Sequence, residues 1–262
     1  MIATKLKVTF LLLSLCLMLS SCHTYSAGNV IPEPSVQPEL SPQQVLEEQT
    51  VDDTHDAFLV DTGGQLGTLL VTAELAAQNK DEFGTRDITF TVWNPAEMEQ
   101  PIQTFTEEFM MGVAPEFHRV VDANFDGFQD FGYLYFLGNQ PNYCHFWLWD
   151  EEQTQFIYCA PLAEVSQAVF DAEQQIVTGW ARSGAAAGTH CLYRWIDEEL
   201  TLVRVIKFDC FDPDVQLLKI EDWLDGEMVA EYKREYEFES EIFDAIHKWF
   251  DLDYHGEPTE EN

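Results

Sequence analysis

Paired strand signals separated by acidic turns constrain this chain more than any other feature. Tyr143–Trp149 and Gln155–Cys159 flank Asp150-Glu151-Glu152, and His190–Trp195 and Leu200–Phe208 flank Asp197-Glu198-Glu199. Two runs rich in aromatic and β-branched residues across a short polar turn read as a β-hairpin. The two units are also alike: Phe146-Trp147-Leu148-Trp149-Asp150-Glu151 matches Tyr193-Arg194-Trp195-Ile196-Asp197-Glu198. Their spacing is close to one propeller blade, roughly 40–50 residues, and Trp93-Asn94-Pro95 reads as an earlier, degraded copy. Phe58–Val60, Thr68–Leu75, Asp87–Trp93 and Ile102–Phe105 add strands, as does Glu227–Glu237 after the Asp225-Gly226 turn. One helix is expected near the end, capped by Ser240, with Ile242, Phe243, Ile246, Trp249 and Phe250 on one face. The expected class is mainly β: a β-propeller-like stack of antiparallel hairpins or blades with one C-terminal helix.

The N-terminus carries Lys5 and Lys7 and then an apolar run, Val8 to Leu19. That run is shorter than the ~20 residues a membrane span needs, so residues 1–21 read as a signal peptide. Leu19-Ser20-Ser21-Cys22 resembles the lipobox of bacterial lipoproteins. The resemblance implies a diacylglyceryl group on the Cys22 sulfur and cleavage just before it. The protein would then sit on a membrane through its lipid, facing the extracytoplasmic side. Residues 22–56 include Pro32, Pro34, Pro38 and Pro42 among Ser, Gln and Glu, a composition that reads as a disordered tether. Residues 57–250 form the expected folded domain, and 251–262 an acidic tail that frays.

One segment carries recognisable chemistry. Asp122, Asn124, Asp126 and Asp130 fall at positions one, three, five and nine of a short loop, with Gly127 at six. Ca²⁺ takes six to eight hard oxygen ligands. Glycine tolerates the positive φ a tight curl demands, and Phe128 can offer its backbone carbonyl. Position twelve would be Tyr133, which cannot supply the bidentate carboxylate of an EF-hand. The pattern instead resembles the D-x-[DN]-x-D-G-x-x-D loop of integrin-α-type (FG-GAP) propellers. The expected metal set is Asp122, Asn124, Asp126, the Phe128 carbonyl and Asp130, with Ca²⁺ as the cofactor.

From Val121 to about Phe208, the loop is followed by an aromatic strand, the Tyr143–Trp149 hairpin, Val169-Phe170-Asp171 and Ile176-Val177-Thr178-Gly179. This order resembles the calcium-binding, β-propeller-like immunity lipoproteins of antibacterial type IV secretion systems. The resemblance implies calcium binding and inhibition of a peptidoglycan-cleaving effector. It matches no inhibitory residue by position.

The formal charge is −34. Losing Lys5 and Lys7 with the signal peptide leaves 11 of the 13 Lys and Arg against 47 acidic residues. Such a surface repels nucleic acid and attracts cations and basic proteins. Cys144, Cys159, Cys191 and Cys210 remain in the domain. An oxidising compartment and an even count suggest disulfides, with three connectivities open. Cys144–Cys159 is favoured because both residues lie near the open end of one hairpin, and Cys191–Cys210 follows.

No HExxH, GxSxG or P-loop pattern occurs. His118, His145 and His190 stand singly among apolar neighbours and read as structural. Ser183–Gly188 is a small-residue loop without the strand-turn-helix setting of a phosphate cradle. With 47 acids, paired carboxylates carry no signal for glycosidase chemistry. The expectation is therefore a non-enzymatic, calcium-stabilised surface module that binds a basic protein or a cell-wall component, such as a cell-wall hydrolase. The alternative is a wall-carbohydrate binder or glycoside-active enzyme, with Trp147, Trp149 or Trp180 stacking on sugar rings.

Overall fold

The computed structural model describes residues 40–256, apart from 53, 79, 81–83, 110–117, 138–141 and 213. The expected signal peptide, the lipobox-like segment with Cys22 and the end of the expected acidic tail lie outside the described residues. No helix among the described residues is long and apolar enough to cross a membrane.

The chain is mainly β and forms three antiparallel sheets, each laid down as a meander in sequence order. The first holds β1 (His55–Asp61), β2 (Thr68–Leu75), β3 (Arg86–Trp93) and β4 (Gln103–Phe109). The second holds β5 (His118–Val121), β6 (Asp130–Leu137), β7 (Asn142–Asp150) and β8 (Gln155–Tyr158). The third runs from β9 (Val169–Asp171) through β10 (Ile176–Arg182), β11 (Ala187–Ile196), β12 (Glu199–Asp209) and β13 (Gln216–Leu224) to β14 (Glu227–Tyr236). Three helices flank them: α1 (Pro42–Glu47), α2 (Ala160–Ala163) and α3 (Glu239–Trp249).

The second sheet is covered on both faces, which explains why its strands lack apolar–polar alternation. One face shares a core with the first sheet, where Phe90 sits among Trp147, Tyr133 and Phe131 at ring-centroid distances of 5.0, 5.1 and 5.6 Å. The opposite face packs Phe146 against Leu162 of α2 and Val177 of β10. Phe146 and Trp147 are neighbours in sequence, point to opposite faces, and are both buried. Gly132 of β6 pairs with Phe146. A Cβ there would lie 2.4 Å from the Phe146 ring, so only glycine leaves room for it. The third core joins the last sheet to α3 through Leu192, Ile206, Leu218, Ile220, Ile242 and Ile246.

The folded part is longer than expected at both ends. Part of the expected tether forms α1, closed by a capping box between Ser41 and Gln44, and Val45 packs against Ala57 and Leu70. One buried valine and two reciprocal cap bonds order a segment whose proline content suggested a coil. At the other end, the Asp251 and Leu252 carbonyls accept hydrogen bonds from Arg204, and Tyr254 packs on Trp249. Helix α3 begins one turn-fraction earlier than expected: its N-cap is Phe238, which makes no side-chain cap bond, and Ser240 lies inside the helix. Strand β13 was not expected. Lys219, Glu221 and Asp222 interrupt its apolar pattern, yet Leu218 and Ile220 alternate with Lys219 and Glu221 and pack in the core with α3, while Asp222 pairs with Arg204.

The expected disulfides are absent: no bond joins Cys144, Cys159, Cys191 or Cys210. The strand register gives the reason. Cys159 donates its N–H to the Phe146 carbonyl, not that of Cys144. Cys144 is thus a diagonal neighbour, at ~7–8 Å, beyond the ~7 Å limit for a bridge. Cys191 pairs with Val205, while the Cys210 N–H bonds to Ala186. Five strand residues separate these partners, about 17 Å along the sheet.

Candidate metal loop and adjoining cleft

The loop between β5 and β6, with Asp130 at the first position of β6, contains every residue of the expected metal set. Asp122 accepts hydrogen bonds from the Asp126 N–H at 3.1 Å and the Gly127 N–H at 2.9 Å. Asn124 Oδ1 accepts from the Asp126 N–H, and its amide donates to Asp126 Oδ2 at 2.7 Å. Asp126 Oδ1 accepts from the Phe128 N–H at 2.8 Å. These side-chain bonds curl the backbone through two left-handed residues, Phe125 (φ +61) and Gly127 (φ +94). Asparagine or glycine is the usual occupant of such a φ, so Phe125 carries local strain.

Asp130 ends the loop and is fully buried. Its Oδ2 accepts from the Ala123 N–H at 2.7 Å and its Oδ1 from the Trp149 N–H at 2.8 Å. Burial lifts this carboxyl to about 7; the two backbone donors oppose the shift, and the charges of Asp126 and Asp122 add to it. Among the described residues, no three His, Cys, Asp or Glu side chains form a ready-made metal cluster. The donor set is nonetheless all oxygen, and each carboxylate oxygen keeps lone pairs beyond the one its N–H occupies.

All three sheets meet at this loop. From the first, the Asp61 carbonyl accepts from the Gln129 N–H at 3.0 Å, and the Asp61 N–H donates to Gln129 Oε1 at 2.8 Å. Trp149 of the second binds Asp130. From the third, the Trp195 indole donates to the Ala123 carbonyl at 2.9 Å. Neither Asp61 nor Trp195 stands out in the sequence as a loop partner, because both contacts join residues far apart in the chain.

Beside the loop lies an open cleft of ≈ 590 Å³. Asn124 and Asp126 form one wall, the β7–β8 hairpin contributes Asp150 and Tyr158, and the β11–β12 hairpin contributes Trp195 and Glu198. The histidines sit elsewhere. His118 bonds the buried Asp56 at 2.6 Å and stacks on Phe58. His145 stacks on Tyr135, and His190 stacks on Trp180. Burial pushes His145 and His190 down to about 4, with His247 adding to the shift at His190. Trp147 and Trp149 are core residues, 2% and 5% exposed, so neither offers a face to a sugar. Trp180 is half-buried and lies parallel to Phe208.

No family model matches this chain, and no curated protein matches it. Among solved structures it is similar to one described as a Xanthomonas type IV secretion system related protein. The identity is 18%, the TM-score is 0.49, and the match covers 68% of this chain and 93% of that one.

Proposed function

We propose that this protein is a lipid-anchored, extracytoplasmic binding module whose fold is locked by calcium at residues 122–130. The observation that carries the calcium reading is the convergence of three sheets on one oxygen-rich loop. Asp122, Asn124, Asp126, the Phe128 carbonyl and Asp130 would hold the ion. Bound there, it supplies positive charge that offsets three crowded carboxylates, one of them fully buried. The two consecutive four-stranded meanders, followed by one of six strands, support a propeller-like arrangement of blades. The lipobox supports anchoring through Cys22.

The non-enzymatic reading is supported by the sequence, in which no HExxH, GxSxG or P-loop pattern occurs. The −34 charge favours a basic partner. The resemblance to immunity lipoproteins makes a cell-wall hydrolase the partner to test. Burial of Trp147 and Trp149 counts against the carbohydrate-binding alternative.

The test uses the mature protein immobilised through its C-terminus and exposed to cell-envelope extract, with Ca²⁺ or with chelator. Captured proteins are then assayed for peptidoglycan cleavage with and without added free protein. The expected outcome is calcium-dependent capture of a hydrolase that the free protein inhibits. Capture of no hydrolase, or of one whose cleavage the protein leaves unchanged, would remove the inhibitor reading.

A further inference from the structure

Strand β14 leaves one side of the last sheet open. Only β13 lies beside it, and eight of its ten residues are exposed, with Tyr232 and Tyr236 half-buried. No backbone hydrogen bond from a turn or loop of the described residues reaches Met228–Lys233. Such an edge presents N–H and C=O groups that a further strand can pair. The other edge strands offer less. β1 and β4 have seven residues, β5 and β8 four, and β9 three. In β8, the Gln103 side chain already bonds the Phe156 N–H and carbonyl, each at 2.9 Å.

The charges along the β14 edge select its occupant. On the face away from α3, Lys207, Lys219 and Lys233 stand side by side across β12, β13 and β14. Like charges directly opposite one another are unfavourable. Glu221 balances Lys207 and Lys219, and Glu231 reaches Lys219 at 2.7 Å. Lys233, the outermost of the row, has no ion pair among the described residues. The carboxylate that would complete the pattern belongs beyond the edge.

A second β14 supplies it. Two copies related by a two-fold axis perpendicular to the sheet pair antiparallel, and residues of one face meet residues of the same face. With Tyr232 opposite its own counterpart, Glu231 of each copy faces Lys233 of the other, and Ala230 faces Arg234. Centring the pair on Glu231 or on Lys233 sets two glutamates or two lysines against each other. Centring it on Ala230 runs the bulge between Met228 and Ala230 through the middle. We infer that β14 is a self-association edge. A second copy of this chain adds its own β14 in the Tyr232-centred register, giving one sheet of twelve strands, six from each copy. This surface goes beyond the binding reading above and depends on neither the lipid, the ion nor the basic partner.

The test is sedimentation equilibrium of the mature protein carrying Cys22→Ser, which has no lipid to drive association, at ~0.15 M salt. There the diffuse repulsion of two acidic chains is screened beyond ~8 Å, while the paired side chains are in contact. The parent should show a reversible monomer–dimer equilibrium. Lys233→Glu and Glu231→Lys should each weaken it about tenfold or more, because both symmetry-related pairs become like-charged. Mixed in equal amounts, the two variants should associate again, since each supplies the charge the other lacks. Both keep a large negative charge, so long-range attraction does not unite them. Arg194→Glu makes the same change of charge at an exposed position on β11 and should alter association by less than about twofold. Thermal melting checks that each variant is folded. If a reversal unfolds the chain, Lys233→Gln takes its place and should weaken association about threefold. A parent that stays monomeric to about 1 mM, a mixture no tighter than its components, or equal weakening by the Lys233 variant and Arg194→Glu would overturn the inference.

Discussion

At Asp130 the chain buries a carboxylate completely and gives each of its oxygens one backbone donor, from Ala123 and Trp149. Carboxylates are seldom buried without a partner charge, and here the charges of Asp126 and Asp122 act against the ionised form. The oxygen spacing of the loop was legible in the sequence because all five expected ligands fall within nine residues. The cysteines were misread at the same scale. Their proximity along a hairpin suggested bridges, but a shift of two residues in register puts two thiols out of reach. Alkylation of the unfolded, non-reduced protein should therefore label all four of Cys144, Cys159, Cys191 and Cys210. Protection of any pair in mass-spectrometric peptide mapping would contradict the register. The buried histidines make a second residue-scale prediction. His190 binds its proton near pH 4 when folded, against an ordinary value of 6.5. Between these values the unfolded chain takes up a proton that the folded chain refuses, so stability falls as the pH drops through this window. His190→Phe keeps a ring on Trp180 and should flatten that part of the pH–melting curve. An unchanged slope in the variant would assign the acid sensitivity to other groups.

Hairpin elements were the easiest to read, since strands around acidic turns announce both partners. The bounds of β2 and the turns at 151–154 and 197–198 follow the sequence closely. What escaped was structure that depends on distant chain. Strand β13 gains its place from α3, and α3 is fastened in turn by Arg204 of β12. Arg204 is 2% exposed, pairs with Asp222, and donates to the Trp249 carbonyl at 3.1 Å and the Asp251 carbonyl at 2.9 Å. These are C-terminal carbonyls of the helix and its exit, which have no partners within the helix and favour a cation. Arg204→Met fills similar space but leaves Asp222 and those carbonyls without their donor. The variant should lose about 3 kcal/mol in chemical denaturation, with earliest loss of hydrogen-exchange protection in α3. A loss under about 1 kcal/mol would mean that apolar packing alone holds the helix. Gly132→Ala tests the packing of the second sheet. Its Cβ would meet the Phe146 ring, and overpacking of this kind costs roughly 1–3 kcal/mol. A variant as stable as the parent would show that the ring can move aside.

The whole molecule combines a large negative charge with three sheets that converge on a single acidic loop. Composition revealed the charge, and strand patterning revealed the β class. Neither could reveal the convergence, because Asp61 and Trp195 reach the loop only after the sheets have packed. If calcium locks that junction, its effect on stability should be global and should depend on the loop ligands. Thermal melting of the parent and of Asp126→Ala, each in Ca²⁺ and in chelator at matched ionic strength, measures this directly. At ~100 times Kd, linkage adds about 2.7 kcal/mol, a rise of roughly 5–10 °C in Tm for a domain of this size. The account predicts that rise in the parent and its disappearance in Asp126→Ala. In chelator the variant should melt near the parent or above it, since one of three repelling carboxylates is gone. An equal calcium-dependent rise in both proteins would contradict the account and place the ion on the diffuse acidic surface.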